Sequence, residues 1–182
     1  MKEIRIHGRG GQGVVKAAQL VVQSVVDMGG YAHFIPFFGV ERKGSPVYGF
    51  LRINDADIRI KCQVYEPDVL LIFDDSLLGA PQTFEGLRDG SVIIINTNKR
   101  LDALKLPPNA GTVGLVDATK IALEILELNV PNTAMLGAFA KVTGLVDWQS
   151  LCEHVDVMFG AKNRNAVQCA YDNTVITKLQ EV

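Results

Sequence analysis

The sequence predicts an α/β protein of three layers, helix on sheet on helix, built on a mixed, mostly parallel sheet that contains an antiparallel hairpin. Three observations carry this. Apolar runs of strand length alternate with runs of helical period; the run at 69–73 is fully apolar and that at 91–95, apolar after Ser91, reads as another buried strand, as strands covered on both faces do. A glycine loop, Gly8-Arg9-Gly10-Gly11-Gln12-Gly13, separates the first strand from the first helix. After the second strand no helical pattern follows; two β-rich runs do, at 46–53 and 58–62, and the polar Asn54-Asp55-Ala56-Asp57 between them reads as a hairpin turn that makes the sheet mixed.

In order, Ile4-Arg5-Ile6-His7 alternates as a strand, and Val14, Ala17, Ala18, Val21, Val25 and Met28 fall at helical spacing until Gly29-Gly30 ends the helix. The second strand spans 31–35, and Pro36 turns the chain into a loop over 37–45. Leu87 closes a short helical stretch after the strand at 69–73, and 113–116 forms a further strand. Asp117 opens a helix through Leu128, with further helices at 133–142, 148–159 and 165–179; Gly144 and Gly160 are the expected stops. No repeat, low-complexity tract or linker divides the chain, so residues 1–182 are expected to form a single domain.

Composition narrows the function. A net charge of −2 with no basic stripe points away from nucleic acid. No segment approaches the ~20 apolar residues of a membrane span, and no leader-like stretch follows Met1, so a cytoplasmic location is expected. Cys62, Cys152 and Cys169 are odd in number and far apart, unlike a disulfide framework or the ligands of zinc or an iron–sulfur cluster.

The glycine loop holds the candidate chemistry. Gly8, Gly10 and Gly13 match G-x-G-x-x-G between a strand and a helix, where backbone amides commonly cradle an anion. A dinucleotide site also needs an acid about 20 residues on, at the end of the second strand. His33-Phe34-Ile35-Pro36 stands there, without a carboxylate. A stand-alone nicotinamide or flavin oxidoreductase is thereby disfavoured, while a ligand-free turn stays open. Arg9 and Gln12 at the tip suit a phosphate or carboxylate. The second loop, Phe37-Phe38-Gly39-Val40-Glu41-Arg42-Lys43-Gly44-Ser45, leaves the second strand on the same carboxyl edge; its two cations, the Ser45 hydroxyl and the two aromatics suit a ligand or a protein interface.

These segments, GRGGQGVVKAAQLV and FGVERKGSPVYGFLRI, together with VDATKIA and NTAMLGAFAKVTGL, resemble the gamma subunit of 2-oxoacid:ferredoxin oxidoreductases over nearly the whole chain. The resemblance implies a three-layer αβα domain with a mixed sheet. It implies a share in the conversion of a 2-oxoacid and coenzyme A to acyl-CoA, CO₂ and two electrons. Thiamine diphosphate and Mg²⁺ would sit in the alpha and beta subunits, and [4Fe–4S] clusters mostly in a ferredoxin-like delta subunit. Electrons would pass to ferredoxin, or to NAD through a flavin subunit. On this reading no residue of the chain is catalytic. Gly8, Arg9, Gly10, Gly11, Gln12, Gly13, Arg42, Lys43, Gly44 and Ser45 would line the coenzyme A side, or instead dock the alpha and beta subunits in a ligand-free scaffold.

Other polar residues have plainer readings. His7, His33 and His154 stand apart from any triad pattern and are expected to be satisfied structural residues. Asp74-Asp75-Ser76 is expected to cap a helix rather than hold a metal. Asn96 is kept as a possible ligand contact, and Cys62 is expected to be packed on a hairpin strand.

Overall fold

The computed structural model describes residues 1–38 and 44–179. Glu41, Arg42 and Lys43 of the second loop lie outside the described residues, as does the Phe38 side chain. Among these described residues there are seven strands: β1 (Lys2–Arg9), β2 (Tyr31–Phe38), β3 (Pro46–Asn54), β4 (Val69–Ile72), β5 (Ser91–Asn96), β6 (Ala110–Val116) and β7 (Val175–Lys178). The α-helices are α1 (Val14–Asp27), α2 (Ala118–Leu126), α3 (Asn132–Thr143), α4 (Trp148–Phe159) and α5 (Ala161–Asn173), with 3-10 turns at Asp75–Gly79, Pro81–Thr83 and Leu101–Ala103.

One sheet takes all seven strands in the order β2-β3-β1-β4-β5-β6-β7. β1, β4, β5 and β6 pair in parallel, while β3 is antiparallel to both β1 and β2, and β7 is antiparallel to β6. β2 therefore runs with β1. Only β3 and β7 oppose the common direction, so the sheet is mixed and mostly parallel.

The three layers are present but unequal. All five α-helices cover one face, where Ile4, Ile6, Leu51, Leu71 and Phe73 meet Val14, Ala18, Val21, Met135 and Phe139 in one core. On the other face Leu70, Ile72, Ile93 and Ile95 are covered by Leu77, Phe84, Leu87, Leu101 and Leu104, carried by the 3-10 turns and the chain around them. Burying each such side chain stabilises the fold by about 1.5–3 kcal/mol. Gly137 sets the spacing of α3 on α5: a Cβ there would stand 2.1 Å from the Val167 carbonyl oxygen.

Several boundaries follow from local chemistry. Asp117 accepts from the Lys120 N–H and starts α2, while Gly144 at φ 62° closes α3 and Gly160 closes α4. Asp74 caps the first 3-10 turn by accepting from the Ser76 N–H, the capping role expected of it.

Four expectations are corrected. The hairpin is β2–β3, with Pro36 opposite Gly49, and not 46–53 with 58–62; the latter segment is irregular. Pro36 does not end β2, because β2 is an edge strand and an edge tolerates a missing N–H. Cys62 is accordingly exposed rather than packed on a strand. The C-terminal helix stops at Asn173, and the β-branched Val175-Ile176-Thr177 forms β7 instead.

Candidate functional site

The carboxyl ends of β1, β4, β5 and β6 form one edge, and the glycine loop sits on it. Gly8 is required by close packing, since a Cβ would meet Val14 Cγ2 at 2.4 Å and Phe73 Cβ at 3.3 Å. Gly13 is left-handed at φ 76°, and its α-carbon faces the Asn132 side chain of α3. Gly11, at φ 97°, makes the bend. These three glycines are thus accounted for by packing and backbone geometry.

The β2–β3 hairpin brings the far end of the second loop to this one. The Gly10 N–H donates to the Ser45 carbonyl at 2.9 Å, and the Gly44 N–H donates to the Gly10 carbonyl at 3.0 Å. Arg9 completes the tie: its Nη1 donates to the Gly44 carbonyl at 3.1 Å, its Nη2 to Ser76 Oγ at 2.7 Å and its Nε to Asp74 Oδ2 at 3.1 Å. Gln12 joins from the other side, accepting the Arg9 N–H at 2.8 Å and donating Nε2 to the same Asp74 oxygen at 3.2 Å. The anion that Arg9 and Gln12 hold is therefore the chain's own Asp74. Burial alone would raise the Asp74 pKa, but the bonds from Ser76, the Arg9 cation and the Gln12 amide outweigh it and hold the carboxyl below its usual range.

Beside this latch a cleft of about 330 Å³ runs along the strand ends, with Asp74, Asp75 and Asp117 in its lining. Asp75 accepts from Thr97 Oγ1 at 2.8 Å and pairs with Lys99 at 3.0 Å. Asn96 is committed to the fold: its Nδ2 donates to the Phe73 carbonyl and to Thr119 Oγ1, and its Oδ1 accepts the Thr119 N–H. An acid-lined cleft beside a neutralised arginine does not suit a phosphate at Arg9. Among the described residues no group of three or more His, Cys, Asp or Glu could hold a metal ion.

A second polar centre, on the face opposite the helices, escaped the reading of the sequence. Arg5 and His7 are both buried, and Arg5 Nε donates to His7 Nε2 at 3.1 Å, which fixes the neutral imidazole. Arg5 Nη2 reaches the carbonyls of Thr83 at 3.0 Å and Glu85 at 2.7 Å. Burial, and then the Arg5 charge, push the His7 pKa down to about 3. Among the described residues His7 Nδ1 and His33 Nε2 lack hydrogen-bond partners, so these two histidines are not the satisfied residues expected; His154 pairs with Asp27 at 2.8 Å. The signal available was the pair Arg5 and His7 at strand spacing, on the face that Ile4 and Ile6 leave.

Residues 3–173 match the family model described as pyruvate ferredoxin/flavodoxin oxidoreductase. The chain belongs to that family. It is 49% identical to the common subunit gamma of the pyruvate/ketoisovalerate oxidoreductases of Thermococcus kodakarensis, over 98% of this chain and 100% of that one. The crystal structure of pyruvate oxidoreductase subunit PORC from Thermotoga maritima superposes with a TM-score of 0.85 at 32% identity, covering 97% of this chain and 98% of that one. A 2-oxoglutarate:ferredoxin oxidoreductase from Magnetococcus marinus, solved with 2-oxoglutarate, coenzyme A and succinyl-CoA bound, shares the fold at 18% identity and a TM-score of 0.74, covering 94% of this chain and 30% of that one. As a gamma subunit of this family, the chain is one part of a multi-subunit 2-oxoacid:ferredoxin oxidoreductase. Among its described residues no helix is long and apolar enough to cross a membrane.

Proposed function

We propose that this gamma subunit, acting as one domain over residues 1–182, helps build the coenzyme A side of a thiamine-diphosphate-dependent 2-oxoacid oxidoreductase. The complex would convert a 2-oxoacid anion and coenzyme A to acyl-CoA, CO₂, a proton and two electrons. Thiamine diphosphate, Mg²⁺ and the [4Fe–4S] clusters belong, on this reading, to the alpha, beta and delta subunits, and the electrons leave to ferredoxin or through a flavin subunit to NAD. The observation that supports the reading is the latch: Arg9 and Gly10 hold Gly44 and Ser45, which directly follow Arg42 and Lys43 in the sequence. Arg42 and Lys43 are then the cations offered to coenzyme A phosphates. Arg9 is a positioning residue, and Gly8, Gly11, Gln12 and Gly13 serve the same turn.

The test uses the assembled complex. Arg42→Ala with Lys43→Ala should raise the coenzyme A KM about tenfold, the equivalent of one lost charge-assisted contact of about 1.4 kcal/mol, with the KM for the 2-oxoacid unchanged. Arg9→Ala should raise the same KM by a smaller factor. Assembly that weakens in these variants while the coenzyme A KM stays constant identifies a docking scaffold and overturns the proposal.

A further inference from the structure

The sheet face opposite the helices holds a cleft of about 600 Å³, with Arg5 and His7 of β1 in its wall. The two residues are 7% and 1% exposed, and neither is fully partnered by the chain. Arg5 donates through Nε to His7 Nε2 and through Nη2 to the carbonyls of Thr83 and Glu85. Among the described residues it makes no ion pair, and its Nη1 has no acceptor. A buried cation is ordinarily paired with an anion. Because His7 Nε2 accepts from Arg5, the imidazole proton is assigned to Nδ1, and that N–H is buried without a partner. A guanidinium and a neutral N–H side by side are the donors that a carboxylate takes.

The rest of the lining says what the carboxylate is attached to. Phe37, Tyr48, Phe50 and Tyr65 form an aromatic wall, and Phe37 and Tyr65 are 47% and 67% exposed. Two acids share the cleft. Glu66 pairs with Arg88 at 3.4 Å, but Glu85 has no ion pair among the described residues and acts on Arg5 only through its charge, at longer range. A simple anion would be repelled by Glu85. A ligand with a positive group next to its carboxylate meets both charges.

We propose that this cleft binds an α-amino acid with an aromatic or large apolar side chain. Arg5 Nη1 and His7 Nδ1 hold the carboxylate, Glu85 holds the ammonium, and the aromatic wall takes the side chain. Nδ1 is closed to water, so the half-buried Tyr48 ring, edge-on to the imidazole with centroids 5.1 Å apart, tilts to admit the oxygen. The size fits, since ligand clefts run from about 300 Å³ upward. None of these residues belongs to the latch, so the site stands without the coenzyme A reading.

The probes are L-phenylalanine, phenylacetate, phenethylamine and glycine, titrated into the full chain and followed by calorimetry and by the NMR resonance of the His7 Nδ1 proton. L-phenylalanine should shift that resonance saturably. Phenylacetate, which lacks the ammonium, and phenethylamine, which lacks the carboxylate, should each bind about tenfold more weakly, and glycine, which lacks the side chain, should not saturate. Glu85→Gln should cut the phenylalanine affinity about tenfold without weakening phenylacetate, while Tyr65→Ala should weaken both. Both positions are exposed, so these variants keep the fold even where Arg5→Gln, which should abolish binding, loses it. No saturable shift up to about 10 mM phenylalanine, phenylacetate binding as tightly as phenylalanine, or a phenylalanine affinity unchanged in both Glu85→Gln and Tyr65→Ala overturns the proposal.

Discussion

Replacing Asp74 by alanine tests the latch that holds the glycine loop. Asp74 does three things at once: it caps the first 3-10 turn through the Ser76 N–H, pairs with Arg9 and accepts from Gln12. Losing a cap costs about 1 kcal/mol. The Arg9 pair is partly open to solvent, with side-chain exposures of 33% and 22%, so about 0.5 kcal/mol is appropriate for it, and the Gln12 bond adds a similar amount. The sum, about 2 kcal/mol, lowers the Tm of a chain this size by roughly 4–8 °C. Arg9→Ala alone should cost about 1 kcal/mol, and a double-mutant cycle should return a coupling of about 0.5 kcal/mol. The pH dependence has a definite sign. The folded pKa of Asp74 is depressed, so its contribution is complete above the unfolded value of about 3.9 and disappears as pH falls through the lower folded value. Thermal and urea melts of the four proteins at pH 7, repeated in acid, check this. A coupling indistinguishable from zero, or a gap between Asp74→Ala and the parent that widens in acid, refutes the reasoning.

Three further predictions concern packing and titration. Gly13→Ala combines a left-handed backbone with a clash against Asn132 and should cost about 3 kcal/mol in urea melts, whereas Gly29→Ala, left-handed but in open space, should cost about 1 kcal/mol. Gly137→Ala forces α3 off α5 and should destabilise by about 3 kcal/mol or more, with Trp148 fluorescence following the loss of its neighbouring Tyr171 ring on α5. His7 has a folded pKa near 3, below its unfolded value, so its share of stability is complete above about pH 6.5 and declines with acid by up to about 1.4 kcal/mol per pH unit; NMR should find the imidazole neutral down to about pH 4, and His7→Gln should remove that part of the acid slope.

Where chemistry was local, the sequence was legible. The apolar period of α1, the Asp117 cap and the glycine stops were readable because each depends on neighbours within a turn. Pro36 misled because its effect depends on whether a strand is central or at an edge, which only the assembled sheet decides. The polar run 54–57 imitated a hairpin turn, while the true connection between β2 and β3 is a longer segment without such a signature. Arg9 was read as suiting a phosphate or carboxylate ligand; the carboxylate it holds is Asp74, which lies 65 residues away, and no local pattern joins the two. The close approach of Gly13 to Asn132 at the start of α3 was equally hidden, since the two are far apart in sequence.

The reversed direction of β7 has a consequence for how this domain can be carried. β1 begins at the amino edge of the sheet, and β7, running against β6, returns the chain to that edge, where the Leu179 N–H bonds the Gly111 carbonyl at the start of β6. Lys2 and Leu179 therefore leave from the side opposite the glycine loop. Additional polypeptide joined at either point would extend away from the loop-bearing edge, so the same fold can stand as a separate subunit or as one part of a much longer chain, as the 30% coverage of the Magnetococcus enzyme illustrates.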